Sequence, residues 1–166
     1  MSVNKYKSHI LILPEDDANR QIANGFILGP NLNQRNIQIM NPSGGWSRVV
    51  EDFANSYAPG MRELPERMVV LLIDFDQDKG RLAKVQENIP LELKDRVFIL
   101  GVFSEPEKLK RTLGKSFESI GINLAIDCSN DKYDLWEHEL LKHNKTELER
   151  MIKHVKPFLF GDPESD

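Results

Sequence analysis

Short apolar runs alternate with amphipathic stretches along most of the chain. Residues 9–13 (HILIL), 68–75 (MVVLLIDF) and 96–102 (RVFILGV) are nearly unbroken Val/Ile/Leu runs, and residues 37–40 form a weaker fourth. A half-exposed strand would alternate apolar and polar positions, so continuous runs predict strands covered on both faces by helices. The intervening segments supply those helices. Residues 17–28 place Ala18, Ile22 and Phe26 at four-residue steps, with Asp16 or Asp17 available to cap the first free N–H groups. Residues 46–57 put Trp46, Val49, Val50, Phe53 and Tyr57 on one stripe. Residues 79–88 fill a third crossover that Pro90 ends, and Ser104 with Glu107 reads as a capping box opening a helix that closes at Gly114.

The pattern turns wholly helical after Ser116. Phe117, Ile120, Leu124 and Cys128 form one stripe, with Gly121 weakening it; Asp134 with Glu137, and Thr146 with Glu149, read as helix starts. Pro157 and Gly161 stop the last helix, and the final GDPESD reads as a frayed tail. The expectation is one α/β domain over residues 1–166. It comprises a mostly parallel, Rossmann-like sheet of about four strands within residues 8–103, and a helical appendage packed on it over residues 104–160.

Composition narrows the function classes. The chain of 166 residues carries 26 acidic and 22 basic residues, a net charge of −4, and residues 116–166 hold eleven acids against six bases. The domain is not basic, so bulk charge announces no nucleic-acid partner, although a local Lys/Arg stripe would suffice for phosphate contacts. The single cysteine, Cys128, excludes an intramolecular disulfide framework and a multi-thiolate zinc site. No apolar run approaches the roughly 18 residues of a membrane span, and the N-terminus lacks a signal-peptide h-region, so a cytoplasmic protein without membrane contact is expected.

In open parallel sheets ligands bind beyond the carboxyl ends of the strands. Pro14-Glu15-Asp16-Asp17 follows the first strand, and Asp74-Phe75-Asp76-Gln77-Asp78 ends the third. Crowded carboxylates repel one another unless a cation neutralises them, and hard Mg²⁺ favours such oxygen ligands. In a regular strand Asp74 and Asp76 share a face and can reach one ion. A helix-loop-helix calcium loop is excluded, because Lys79 and Val85 stand where that loop requires Gly and Glu. A separate candidate is the loop Ser43-Gly44-Gly45 with Arg48, which could cradle a phosphate at a helix start. Lys108, Lys110, Arg111 and Lys115 form a basic helix edge that reads as a solvated face or as a contact for nucleic acid.

HILILPE followed, one α/β unit later, by VVLLIDFDQD resembles the Toprim domain of topoisomerases, bacterial primases, small recombination-repair proteins and overcoming-lysogenization-defect nucleases. The resemblance covers residues 8–103. It implies that Glu15 is the general acid/base of phosphodiester chemistry, that Asp74 and Asp76 hold Mg²⁺, and that nucleic acid is the substrate; Asp78 has no secure role from the resemblance, though it could join the metal through water. ILILPEDDANRQ is also similar to the opening of a response-regulator receiver domain, which would make Asp74 a phosphoacceptor. The alternative from another class is a non-catalytic module whose helical third, including Trp136, meets a protein partner or a second copy of the chain.

Overall fold

The computed structural model describes residues 3–161. Four strands, β1 (His9–Pro14), β2 (Ile37–Ile39), β3 (Arg67–Leu72) and β4 (Val97–Leu100), form an all-parallel sheet in the order β2-β1-β3-β4. The continuous apolar runs have the predicted cause. Leu11, Leu13, Val69, Leu71, Val97 and Ile99 face one layer of helices, while Ile10, Ile12, Val70 and Phe98 face the other. Every residue of β1 is buried.

The first layer holds α2 (Trp46–Asp52), α3 (Ala58–Glu63) and α4 (Arg81–Glu87). The helical run that begins at Trp46 does not end at Tyr57 but continues to Glu63. A π-helical turn, Phe53–Tyr57, joins α2 to α3, with the Ala58 amide reaching back to the Phe53 carbonyl. The π turn lets Pro59 fall at the start of α3, where its missing N–H breaks nothing. The second layer holds α1 (Asp17–Phe26), with α5 (Pro106–Leu113) and α6 (Phe117–Ser129) outside it and α7 (Lys145–His154) and α8 (Lys156–Leu159) beside it.

Three helix starts differ from the sequence reading, the smallest difference being at Thr146, which lies inside α7 because Asn144 holds the cap position. Helix α5 begins at Pro106 with Glu105 as its cap and no side-chain capping bond; the Ser104 hydroxyl is buried without a partner instead of closing a capping box. Proline at the first turn already has the required φ, which places the start one residue later. Asp134 opens no helix. The Asp127 carboxylate takes the Leu135 amide at 2.7 Å, and the Trp136 indole donates to the Leu124 carbonyl at 3.3 Å, so this stretch is folded as turns onto α6. Trp136, 8% exposed, is an anchor within the fold. The tail expected to fray lies, from residue 162 on, outside the described residues.

Helix α7 dresses the outer edge of β4. Asn144, just before it, accepts from the Gly101 amide at 3.1 Å and donates to the Gly101 and Leu141 carbonyls at 2.9 and 3.0 Å. Glu147 faces the Ile99 amide, and Arg150 donates to the Val97 and Lys94 carbonyls. Three side chains at three-residue spacing thus stand where a fifth strand would pair. Asn144→Ala leaves the buried Gly101 amide and carbonyl unpaired, and should lower stability by about 2 kcal/mol in denaturant titration, with an unchanged slope. Among the described residues no helix is long and apolar enough to cross a membrane.

Candidate functional site

The crossovers from β1 to β2 and from β3 to β4 leave in opposite directions, which opens a crevice beyond the carboxyl ends of β1 and β3. Glu15 and Asp74 meet there. The ladder runs one residue past β1, through the Glu15 amide to the Leu72 carbonyl, and the Glu15 carboxylate accepts from the Asp74 amide at 3.0 Å. Asp16 caps α1, accepting from the Asn19 amide at 3.0 Å and from its side-chain Nδ2 at 2.9 Å. The same Nδ2 donates to Asp74 Oδ1 at 2.8 Å. Asn19, wholly buried in the first turn of α1, is the pin between the two carboxylates.

Glu15, Asp16 and Asp74 each offer an oxygen within 4.8 Å of the others. Opposite ligands of one Mg²⁺ lie about 4.2 Å apart, because each metal–oxygen bond is about 2.1 Å. Small rotations therefore bring the three into one coordination shell. Each carboxylate has one oxygen held by a backbone or Asn19 donor, while its second oxygen takes no hydrogen bond from a described residue. Such an arrangement orients ligands for a cation.

Electrostatics agree with an unneutralised cluster. Burial, reinforced by Glu15, Asp16 and Asp76 and opposed by the Asn19 bond, pushes the Asp74 carboxyl up to about 8. Burial also raises Glu15, with Asp16 and Asp76 adding to it and the Asp74 amide and Arg81 opposing.

The Asp-x-Asp alternation does not carry Asp76 into this cluster. Asp76 and Gln77 have φ of +48° and +61°, so the extended backbone ends at Phe75 and the alternation ends with it. The Asp76 carboxylate instead meets Arg81 Nη1 at 2.6 Å. Asp78 caps the turn into α4, accepting from the Gly80 amide at 2.8 Å, which holds its carboxyl below the usual range. Asp17 is exposed and paired with Arg20.

The loop expected to cradle a phosphate has much of its backbone committed elsewhere. The Ser43 and Gly44 amides donate to the Pro14 and Glu15 carbonyls at 3.1 and 2.8 Å, fixing the backbone that carries Glu15. Gly45, at φ +147°, caps α2 without a side-chain bond, and Arg48 is exposed. On the basic edge, Lys110 lies over the Phe117 ring and Arg111 faces Glu105 at 4.0 Å.

Two site residues had no sequence motif. Asn19 stands three residues after a capping Asp, which in hindsight is a usable signal. Arg81 had none: it stacks on Trp46 at 4.8 Å and donates to the Asp74 carbonyl at 2.8 Å, with Nε buried and unpartnered. His143 packs against Phe75 and Phe103 behind the loop, and burial lowers it to about 4, against the Gly101 backbone. Cys128 is largely buried and its thiol is pushed up to about 11, so it is no nucleophile at neutral pH. Comparison with protein-family models, curated proteins and solved structures finds no match to this chain.

Proposed function

We propose that this chain binds a divalent cation, Mg²⁺ by its oxygen donors, at Glu15, Asp16 and Asp74, and acts on phosphate esters in the manner of a Toprim-like nuclease or phosphotransferase. The observation that carries the reading is the meeting of three carboxylates from two chain segments, each with one oxygen pinned and one unbonded, at the switch point of a parallel sheet. A cation bound there supplies charge that polarises a phosphoryl oxygen. Glu15, with one oxygen held by the Asp74 amide and the other taking no hydrogen bond from a described residue, would serve either as a ligand of the cation or as the group that moves a proton, not as both at once. Arg81, stacked on Trp46 and paired with Asp76, stands beside the carboxylates, where a phosphate would compete with Asp76 for its guanidinium. The Toprim resemblance makes nucleic acid the substrate class to test first.

The test is calorimetric titration with Mg²⁺ and Mn²⁺, joined to cleavage of labelled single- and double-stranded oligonucleotides. Glu15→Gln with Asp74→Asn should weaken binding at least about tenfold, whereas Asp76→Asn should change it by less than about threefold. Equal binding by the native chain and the double variant defeats the cation site. Cation binding without cleavage of any oligonucleotide defeats the nuclease.

A second reading is favoured by the strand order, which is that of doubly wound receiver-like sheets. In it Asp74 accepts a phosphoryl group. Acetyl phosphate with Mg²⁺ would then add one phosphoryl mass to the native chain and none to Asp74→Asn.

A further inference from the structure

The two members of the Arg81–Asp76 pair differ in their freedom to move. The Arg81 side chain is 12% exposed and held in place: its guanidinium stacks 4.8 Å from the centre of the Trp46 ring, Nη1 donates to the Asp74 carbonyl at 2.8 Å, and Nε is buried. The Asp76 side chain is 54% exposed and meets Arg81 through one oxygen, Oδ2, at 2.6 Å from Nη1. Its Oδ1 takes no hydrogen bond from a described residue. The backbone below is tied down, with the Asp76 and Gln77 amides donating to the Ser104 and Phe103 carbonyls at 3.0 and 2.7 Å. The contact can therefore break by rotation of the Asp76 side chain alone.

A guanidinium presents a planar fork of donors that suits two oxygens of one anion. Asp76 occupies one prong. Nη2, which is not sealed from solvent, makes no hydrogen bond with a described residue. A cation this buried needs an anion beside it, because an uncompensated buried charge is costly. An exposed carboxylate, by contrast, leaves an ion pair at small cost. The occupant is exchangeable, whereas the guanidinium is not. We propose that Asp76 is a built-in competitor at a phosphate-binding Arg81, displaced when a phosphate group of the substrate takes both Nη1 and Nη2. Nη1 lies on the main-chain carbonyl of Asp74, whose carboxylate belongs to the cation cluster, so the phosphate would bridge Arg81 and the cation across a single residue. The exchange rests on the phosphate-ester reading of the crevice and adds to it a means of keeping weakly held anions off the guanidinium.

The full chain is titrated with inorganic phosphate in buffer containing Mg²⁺, and binding is followed by calorimetry and by the NMR signal of the Arg81 Nε–H. Asp76→Asn should bind phosphate about fivefold more tightly than the native chain, with a saturable shift of that signal. Asp78→Asn removes the same charge two residues along and should stay within about twofold of the native chain. In an Arg81→Lys background, or Arg81→Gln if the first does not fold, Asp76→Asn should change the affinity by less than about twofold, since the fork is gone. Equal phosphate affinity in the native chain and Asp76→Asn overturns the proposal, as does an equal gain in Asp78→Asn. No phosphate binding by either the native chain or Asp76→Asn overturns it as well. The cation titration of the same samples separates the two readings: a gain in Asp76→Asn that persists where Mg²⁺ does not bind supports the exchange and defeats only the cation site.

Discussion

Asp74→Asn is expected to raise the melting temperature at pH 8 while it abolishes cation binding. The carboxyl ionises near 3.8 when unfolded and at about 8 when folded, chiefly through burial. A folded value above the unfolded one means that the group's favourable contribution is complete below pH 3.8 and is lost as pH rises through about 8. Each unit is worth about 1.4 kcal/mol, so at pH 8 holding this acid in place works against folding by several kcal/mol. Water penetration and local relaxation reduce the realised effect to about 2–4 kcal/mol. Asparagine keeps an oxygen for the Asn19 bond at 2.8 Å and has no charge to bury. The variant should melt about 5–10 °C higher at pH 8 and show little gain at pH 4. Added Mg²⁺ should stabilise the native chain and leave the variant unmoved. Scanning calorimetry at both pH values decides; parallel stability-versus-pH curves for the two proteins would remove the buried-acid argument.

The opposite sign is expected for Gly121→Ala. Intrinsic propensity favours alanine by about 1 kcal/mol inside a helix, so an isolated α6 would gain. In the fold a Cβ at residue 121 would stand 2.0 Å from the Ile22 carbonyl oxygen and 2.7 Å from the Phe26 nitrogen. Gly25 on the facing helix is equally tight, 2.0 Å from the Glu118 carbonyl oxygen. The atoms that must yield are backbone of α1 and α6, not the ends of flexible side chains. The substitution should therefore destabilise by at least about 3 kcal/mol, near the upper end for overpacking, and lower the denaturation midpoint without changing its slope. Because α1 carries Asp16 and Asn19, cation affinity should fall with it. A variant as stable as the native chain would mean that the two helices are not this close in solution.

The parallel strands were readable because burial on both faces leaves nearly unbroken apolar runs, whereas their order, and with it the switch point, has no signature in the runs themselves. Where two such runs end placed Glu15 and Asp74 at strand ends, but their meeting needed β1 and β3 to pair, which only the sheet register supplies. Asp76 was not readable, because the alternation argument assumes extended backbone, and a left-handed residue at that position is invisible in spacing alone. The stripe in residues 46–57 gave no sign that the helix passes Pro59, since a π turn shifts the phase of the pattern it would have continued. Gly121 read as a weakness in an apolar stripe and is the contact point of α1 and α6. Residues 131–144 hold themselves by individual side-chain bonds from Asp127, His138 and Asn144, which have no period to detect.

The side chains of Asn144, Glu147 and Arg150 along β4 bear on how the molecule avoids its own kind. A bare edge strand is a template on which a second chain can add by main-chain pairing. Here the outward Val97 and Gly101 carbonyls and the Gly101 amide are already taken, and a guanidinium stacked 4.7 Å from the Phe98 ring lies across the approach. At the other margin β2 is only three residues long. Neither border therefore presents a long bare strand to a second chain.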